Sequence, residues 1–212
     1  MILGVAALIG YLLGAVPFGL LVGRVTKGID LRQYGSRRTG ATNALRTLGA
    51  KAAALVFLLD VTKGVAAVLV ARLLFADDPL AGWAGAVAGL AAIVGHNWSV
   101  FIGFTGGRGV ATSAGALGAM SPLTLLVLAP IVFGIMWRTR YVSLGSITGG
   151  LLAPVITGLL ALAGLASVPA VAYALASGLL VTVAHADNIG RLRAGTERKI
   201  GQKEEVRIDG GA

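Results

Sequence analysis

The chain contains no cysteine. Disulfides and thiolate metal sites are thereby excluded, and the redox compartment stays open. Charge is scarce too: 13% of the 212 residues are charged, while 56% are hydrophobic. A soluble domain carries about 25% charged and about 45–50% apolar residues. A water-soluble globule is therefore excluded, and an all-α integral membrane protein is expected. With nine acidic residues and two histidines, the sequence offers no carboxylate cluster suited to magnesium. It also lacks the His-Glu-x-x-His helix, the Walker A loop and the Gly-x-Ser-x-Gly elbow. No metal and no cofactor are expected. The N-terminus "MILGVAALIG" has no basic n-region, and its apolar run extends to Val22. That is too long for a typical signal-peptide core, so it reads as a first transmembrane helix.

What the sequence does have is apolar length. A spanning helix needs about 20 apolar residues. Runs over 2–23, 50–75, 80–95, 109–120, 122–137, 144–165 and 168–185 supply seven candidate transmembrane helices. The fourth is short, and Ser121-Pro122 punctuates it at once, so a tilted or broken helix is expected there. Small residues run through the spans, as in "AGWAGAVAGLAAIVG". They let helices approach where lipid offers no hydrophobic drive. Residues 1–200 read as one polytopic membrane domain and 201–212 as a polar, flexible tail.

The basic residues have a side. Arg24 through Lys51 fall between the first two spans, Arg108 follows the third, and Arg138 and Arg140 follow the fifth. Arg191 through Arg207 follow the seventh. Seven spans put all these loops on one face; six or eight would scatter them. The positive-inside rule makes that face cytoplasmic, with the N-terminus outside and the C-terminus inside. The other face has Asp77, Asp78 and Arg72. A transporter needs midplane polar groups and gates on both sides. This layout suits a site open to cytosolic solutes and roofed by membrane.

Four polar segments share the basic face. "YGSRRTGATNALRTLG", 34–49, has turn residues at Gly35-Ser36 and Gly40, with donors at Ser36, Thr39, Thr42 and Asn43 and charge at Arg37, Arg38 and Arg46. Thr42 or Asn43 is suited to cap a helix entering the second span. An ordinary basic loop is the other reading. "FTGGRGVAT", 104–112, sets Gly106, Gly107 and Gly109 around Arg108. Glycines admit a ligand close to the backbone, successive N–H groups form an anion nest, and arginine adds a bidentate fork. A turn with an interfacial arginine is the alternative. His96 lies just upstream, as a structural or a site residue. In "RTRYVSLGS", Ser143 and Ser146 are three apart and share a helix face, as site groups or as caps. In "HADNIGRLRAGTERKIG", His185 ends the last span, Asn188 shares its face if the helix continues, and Glu197 follows among basic residues. A solvated tail is the alternative there. Asp60 and Lys63 lie inside the second span. Each alone would cost about 2.5–3.5 kcal/mol at a helix centre, so they are expected to pair, as a structural pair or as a site wall.

These segments resemble the bacterial acyl-phosphate:glycerol-3-phosphate acyltransferases of the PlsY type. The likeness runs through "AVPFGLLVGRVTKGIDLRQYGS", "GATNALRTLG", "LLDVTKG", "VGHNWSVFIGFTGGRGVAT", "RYVSLGS" and "HADNIGRLRAGTERKIG". It implies seven transmembrane helices in the bacterial cytoplasmic (inner) membrane, with cytosolic active-site loops. It also implies a reaction: a fatty acyl group passes from acyl phosphate to glycerol-3-phosphate, giving lysophosphatidic acid and phosphate, the first acylation in phospholipid synthesis. Glycerol-3-phosphate, acyl phosphate and membrane lipids are the implied partners, with no nucleic acid and no obligate protein partner. Carried over by motif, Ser36, Arg46, His185 and Asn188 are the implied catalytic residues. Thr42, Asn43, His96, Gly106, Gly107, Arg108, Gly109, Ser143, Ser146 and Glu197 are the implied substrate-binding ones, with Glu197 ordering its loop. The base is His185 or an oxygen of the acyl phosphate. Substrate assistance is favoured, because no second group in the sequence clearly orients a histidine. The chain departs from the family pattern at three places. Arg37-Arg38 stand for Gly-Asn, Arg108 stands for lysine, and Ser99 stands for a proline. A diverged paralogue with another phosphorylated acceptor, or a transporter of a phosphorylated anion, are the rival readings.

Overall fold

The computed structural model describes residues 1–202. Of the expected tail, 203–212 lie outside the described residues. Helices α1 (Ile2–Ala15), α2 (Phe18–Lys27), α3 (Ala41–Thr47), α4 (Ala50–Leu74) and α5 (Ala81–Asn97) come first in chain order. α6 (Val110–Met120), α7 (Pro122–Thr139), α8 (Val142–Leu162), α9 (Val168–Ala184) and α10 (Ala186–Arg193) follow. Among the described residues the only β feature is one isolated bridge, Ser99 to Thr105.

Each of the seven apolar runs is helical. Four segments are long and apolar enough to cross a membrane: Ile2–Lys27, Ala50–Leu74, Pro122–Thr139 and Val142–Leu162. A fifth is the α9–α10 pair, bent by 59°, if it counts as one. α5 with 17 residues and α6 with 11 are shorter. The first run is interrupted. Pro17 has no N–H to donate, and α1 stops at Ala15 before α2 restarts at Phe18. Other segments satisfy carbonyls at the break: Ser99 Oγ donates to Ala15 O at 2.6 Å, and Lys63 Nζ donates to Val16 O at 3.0 Å.

α5 occupies the centre, packed on α1, α4, α6 and α9. Its Ala/Gly sequence makes that possible. A Cβ on Gly10 or Gly14 of α1 would run into the backbone of Ala88 or Ala92. Gly64 of α4 meets the Thr112 carbonyl of α6 in the same way. Large apolar side chains such as Leu58, Leu73, Leu126, Leu159 and Leu179 point outward and are exposed. A protein solvated by lipid keeps its large side chains outside and its small ones at helix contacts.

Two cap assignments are corrected. Thr42 and Asn43 do not cap the second span: they lie inside the separate helix α3, and Gly49 precedes α4. Ser143 and Ser146 are not caps either, because Tyr141 holds that position on α8.

Candidate active site

A cavity of about 1150 Å³ opens among α3–α10 and the loops that join them. Ser36, Thr42, Asn43, Arg46, His96, Gly106, Gly107, Arg108, Gly109, Ser143, Ser146, His185, Asn188 and Glu197 all line it. Segments up to 161 residues apart in sequence thus meet at one place, from Ser36 to Glu197. The cavity wall also carries Arg37, Arg38, Arg191 and Arg198, making six arginines with Arg46 and Arg108, against the carboxylates Asp60, Asp187 and Glu197.

Asn43 builds the first loop. It is buried, and its Nδ2 donates to the carbonyls of Leu31, Tyr34 and Arg38 at 3.1, 3.1 and 2.9 Å. Its Oδ1 accepts from the Ser36 N–H at 2.9 Å. The amide is committed to shaping the turn that presents Ser36. Gly35 (φ 59°) and Arg37 (φ 56°) both adopt left-handed backbone in that turn.

The glycine loop is pressed against the end of α5. The Gly107 N–H donates to His96 O at 3.1 Å. A Cβ at Gly106 would overlap that carbonyl, and one at Gly107 would overlap His96 Nε2. The ring of His96 is backed by α4: its Nδ1 lies 3.5 Å from Asp60 Oδ1. Lys63 Nζ is 2.8 Å from the same oxygen, at ion-pair distance but without hydrogen-bond alignment. The expected pair therefore forms. It serves both purposes considered for it, since Asp60 lines the cavity while Lys63 closes the break in the first span. Arg108 Nε donates to Ala184 O at 3.1 Å, tying the loop to the end of α9. Burial, then the charges of Arg38 and Arg191, bring the Arg108 pKa down to about 10, so it remains a cation at neutral pH.

The third cluster is organised by Glu197, whose side chain is 5% exposed. Its Oε1 accepts from Ser143 Oγ at 2.8 Å and from Asn188 Nδ2 at 2.6 Å, while Oε2 accepts from Arg191 Nε at 2.8 Å. Burial pushes its pKa up, but these three bonds to the carboxylate outweigh it and hold the value below the usual range. Ser146 Oγ donates to its own helix, at Val142 O. His185 sits at the α9–α10 bend with Nδ1 2.7 Å from Val181 O. A carbonyl only accepts, so Nδ1 carries a proton and Nε2 of the neutral ring is an acceptor.

Asn97 was not singled out from the sequence. It lines the cavity, it is buried, and both its amide atoms lack a partner among the described residues. Its position beside His96 was the available signal. Asn188 Oδ1 is likewise buried and unpartnered among the described residues. Unsatisfied polar atoms in a cavity wall are what a polar ligand would complete.

Away from the arginines the lining turns apolar, with Phe57, Leu117, Leu128, Val132, Phe133 and Val181. A cationic chamber that runs into an apolar groove between membrane helices defines a class: a membrane-embedded protein built to handle amphiphilic anions. The family model described as glycerol-3-phosphate acyltransferase matches residues 4–195, and the chain belongs to that family. A glycerol-3-phosphate acyltransferase of Thermoanaerobacter sp. (strain X514) is 43% identical over 201 residues, 95% of this chain and 97% of that protein. One of Thermus thermophilus is 46% identical over 200 residues, 94% of this chain and 96% of the other. The fold matches a crystal structure of PlsY (YgiH), an integral membrane glycerol 3-phosphate acyltransferase, in its glycerol 3-phosphate form. There the TM-score is 0.83 at 40% identity, covering 94% of this chain and 96% of that one. The lysophosphatidic acid form of PlsY matches with a TM-score of 0.81 at 38% identity, over 94% and 96% of the two chains.

Proposed function

We propose that the chain uses an acyl phosphate as donor and glycerol-3-phosphate as acceptor, releasing lysophosphatidic acid and inorganic phosphate. The observation that carries this reading is the continuity of the cationic chamber with the apolar groove in one cavity. The first suits two phosphate groups and the second an acyl tail. Forms of the related PlsY with glycerol 3-phosphate and with lysophosphatidic acid are consistent with such an acceptor and product.

The chemistry needs little acid assistance, because phosphate is a competent leaving group. The acceptor hydroxyl oxygen bonds to the acyl carbon, the bond from that carbon to the phosphate oxygen breaks, and the hydroxyl proton leaves. Alignment of hydroxyl and carbonyl supplies much of the acceleration, and cationic and N–H donors stabilise the developing charge. In this reading Ser36, Arg46, Arg108 and the glycine loop hold phosphates. Asn188 Oδ1 and His185 Nε2 accept from the glycerol hydroxyls, with Ser143 and Glu197 fixing Asn188. The proton goes to a phosphate oxygen of the donor. His185 is oriented after all, by the Val181 carbonyl. That partner is uncharged, however, so an imidazolium would gain no counter-ion from it in a chamber lined by six arginines and three carboxylates.

The basic loops argue for seven crossings of a bacterial cytoplasmic membrane, with the N-terminus outside and the cavity mouth facing the cytosol. Purified protein given acyl phosphate and glycerol-3-phosphate should release phosphate and lysophosphatidate in equal amounts, with acyl-CoA inactive in parallel. Folded protein that yields no product from acyl phosphate with several phosphorylated acceptors would overturn the reading. In single-turnover experiments, His185→Gln should slow transfer while retaining some chemistry. Complete loss with intact substrate binding would make His185 the base.

A further inference from the structure

Arg38 and Arg108 both line the cavity wall, and among the described residues neither fork bonds a carboxylate. Arg191 is paired with Glu197, and Asp60 is engaged by Lys63 and His96. Arg108 uses Nε for the Ala184 carbonyl, and its terminal nitrogens have no acceptor among the described residues. The Arg38 side chain makes no hydrogen bond or ion pair among the described residues, although it lines the cavity and is half-buried. Its backbone is fixed, because the Arg38 carbonyl accepts from buried Asn43 at 2.9 Å. The left-handed turn at Arg37 leaves that neighbour exposed while Arg38 is half-buried. The two side chains line the same cavity, and Arg38 is the leading cationic influence on Arg108. Two like charges whose forks bond no counter-ion among the described residues are an arrangement that an anion completes.

We propose that Arg38 and Arg108 form one phosphate clamp, with Arg38 setting the affinity for a phosphate monoester or an acyl phosphate. Glu197 and Asp187 also line the cavity and attract Arg108, each more weakly than Arg38 repels it; neither bonds either fork among the described residues. The kinetic readout of the clamp rests on the transferase reading, whereas its binding readout does not.

The test compares Arg38→Gln, Arg38→Lys and Arg193→Gln with the parent protein, all checked for equal thermal stability. Arg193 is exposed and outside the cavity, so its loss controls for net charge. Calorimetric binding of inorganic phosphate should weaken roughly tenfold in Arg38→Gln, the scale of one charge-assisted contact. It should recover in part in Arg38→Lys and stay at the parent value in Arg193→Gln. In turnover, KM should rise by a similar factor for one substrate. A rise for glycerol-3-phosphate assigns the clamp to the acceptor, and a rise for acyl phosphate assigns it to the donor. Parent-like phosphate binding and both KM values unchanged in Arg38→Gln would overturn the clamp. Equal weakening in Arg193→Gln would overturn it as well. If the parent binds phosphate through Arg38 but turns nothing over, the clamp stands and the transferase reading fails.

Discussion

At Arg37 and Ser99 the backbone has kept conformations suited to other residues. Arg37 sits at φ 56°, where glycine is at ease, and glycine is what the family pattern has there. Ser99 sits at φ −74°, which a proline would adopt, and the family pattern has proline there. The substitutions are not equivalent. Ser99 gains bonds that proline cannot make, since its N–H donates to Thr105 O at 3.1 Å and its Oγ to Ala15 O at 2.6 Å. The left-handed turn at Arg37 costs about 1 kcal/mol for a residue with a Cβ. Glycine's larger loss of chain entropy offsets part of the gain on reversal. Arg37→Gly should therefore keep or slightly raise thermal stability. Arg37→Val, β-branched at positive φ, should fall below the parent by about 1–2 kcal/mol. A melting series in detergent checks both, and equal stability of the two variants would contradict the strain. The composition of this loop was legible as a site, yet the work of Asn43 was not. Its role depends on where the carbonyls of Leu31, Tyr34 and Arg38 fold, and spacing does not carry that information.

Among the elements, helix contacts and the Glu197 segment after α10 carry the structure. Gly14 faces the Ala92 backbone so closely that a Cβ has no room, while Gly4, on the same helix, has nothing within 4 Å of one. Gly14→Ala should cost about 1–3 kcal/mol by overpacking. Gly4→Ala should be neutral or stabilising, because alanine has the better helix propensity. Comparable melting temperatures for the two would remove α1–α5 packing as the cause. Glu197 gives a pH prediction. Its folded pKa lies below the ordinary one, so the unfolded state binds the proton more readily. Its contribution is present above the ordinary carboxyl range of about 4 and is lost as pH falls through the lower folded value. Glu197→Gln should be less stable at neutral pH and lose less on acidification. Part of the acid loss should remain, because Arg32 lowers the Asp30 pKa as well. An unaltered acid profile in Glu197→Gln would remove Glu197 from it. The helices themselves were readable, since an apolar run in lipid has few alternatives to helix. The break at Pro17 was missed although the proline was visible. Proline in a membrane helix is tolerated when other groups satisfy the freed carbonyls, and here Lys63 and Ser99 do so from distant segments.

For the whole molecule, length and charge point different ways on how often the chain crosses. By length and composition alone, four segments qualify, or five with the bent pair. By charge, seven crossings are needed to gather Arg24–Lys51, Arg108, Arg138–Arg140 and Arg191–Arg198 on one face. α5, with 17 residues, is short for a span and lies at the centre of the bundle. A helix shielded by neighbours does not have to match the bilayer with its own apolar length, because lipid meets the bundle rather than the single element. The short α6 is likewise packed on α4, α5 and α9. The absence of cysteine makes the question directly testable. A single cysteine at exposed Asp77, between α4 and α5, should react with a membrane-impermeant maleimide in intact spheroplasts. One at exposed Leu165, between α8 and α9, should follow Asp77. One at exposed Arg193, at the end of α10, should react only after permeabilisation. The position that discriminates is exposed Thr105, between α5 and α6. Seven crossings put it with Arg193, silent until the membrane is opened. If α5 and α6 instead dip in and return to the outer face, the chain crosses five times and the other three positions keep their sides. Thr105 would then label in intact spheroplasts, and the cytosolic placement of the glycine loop and of the cavity mouth would fall with it.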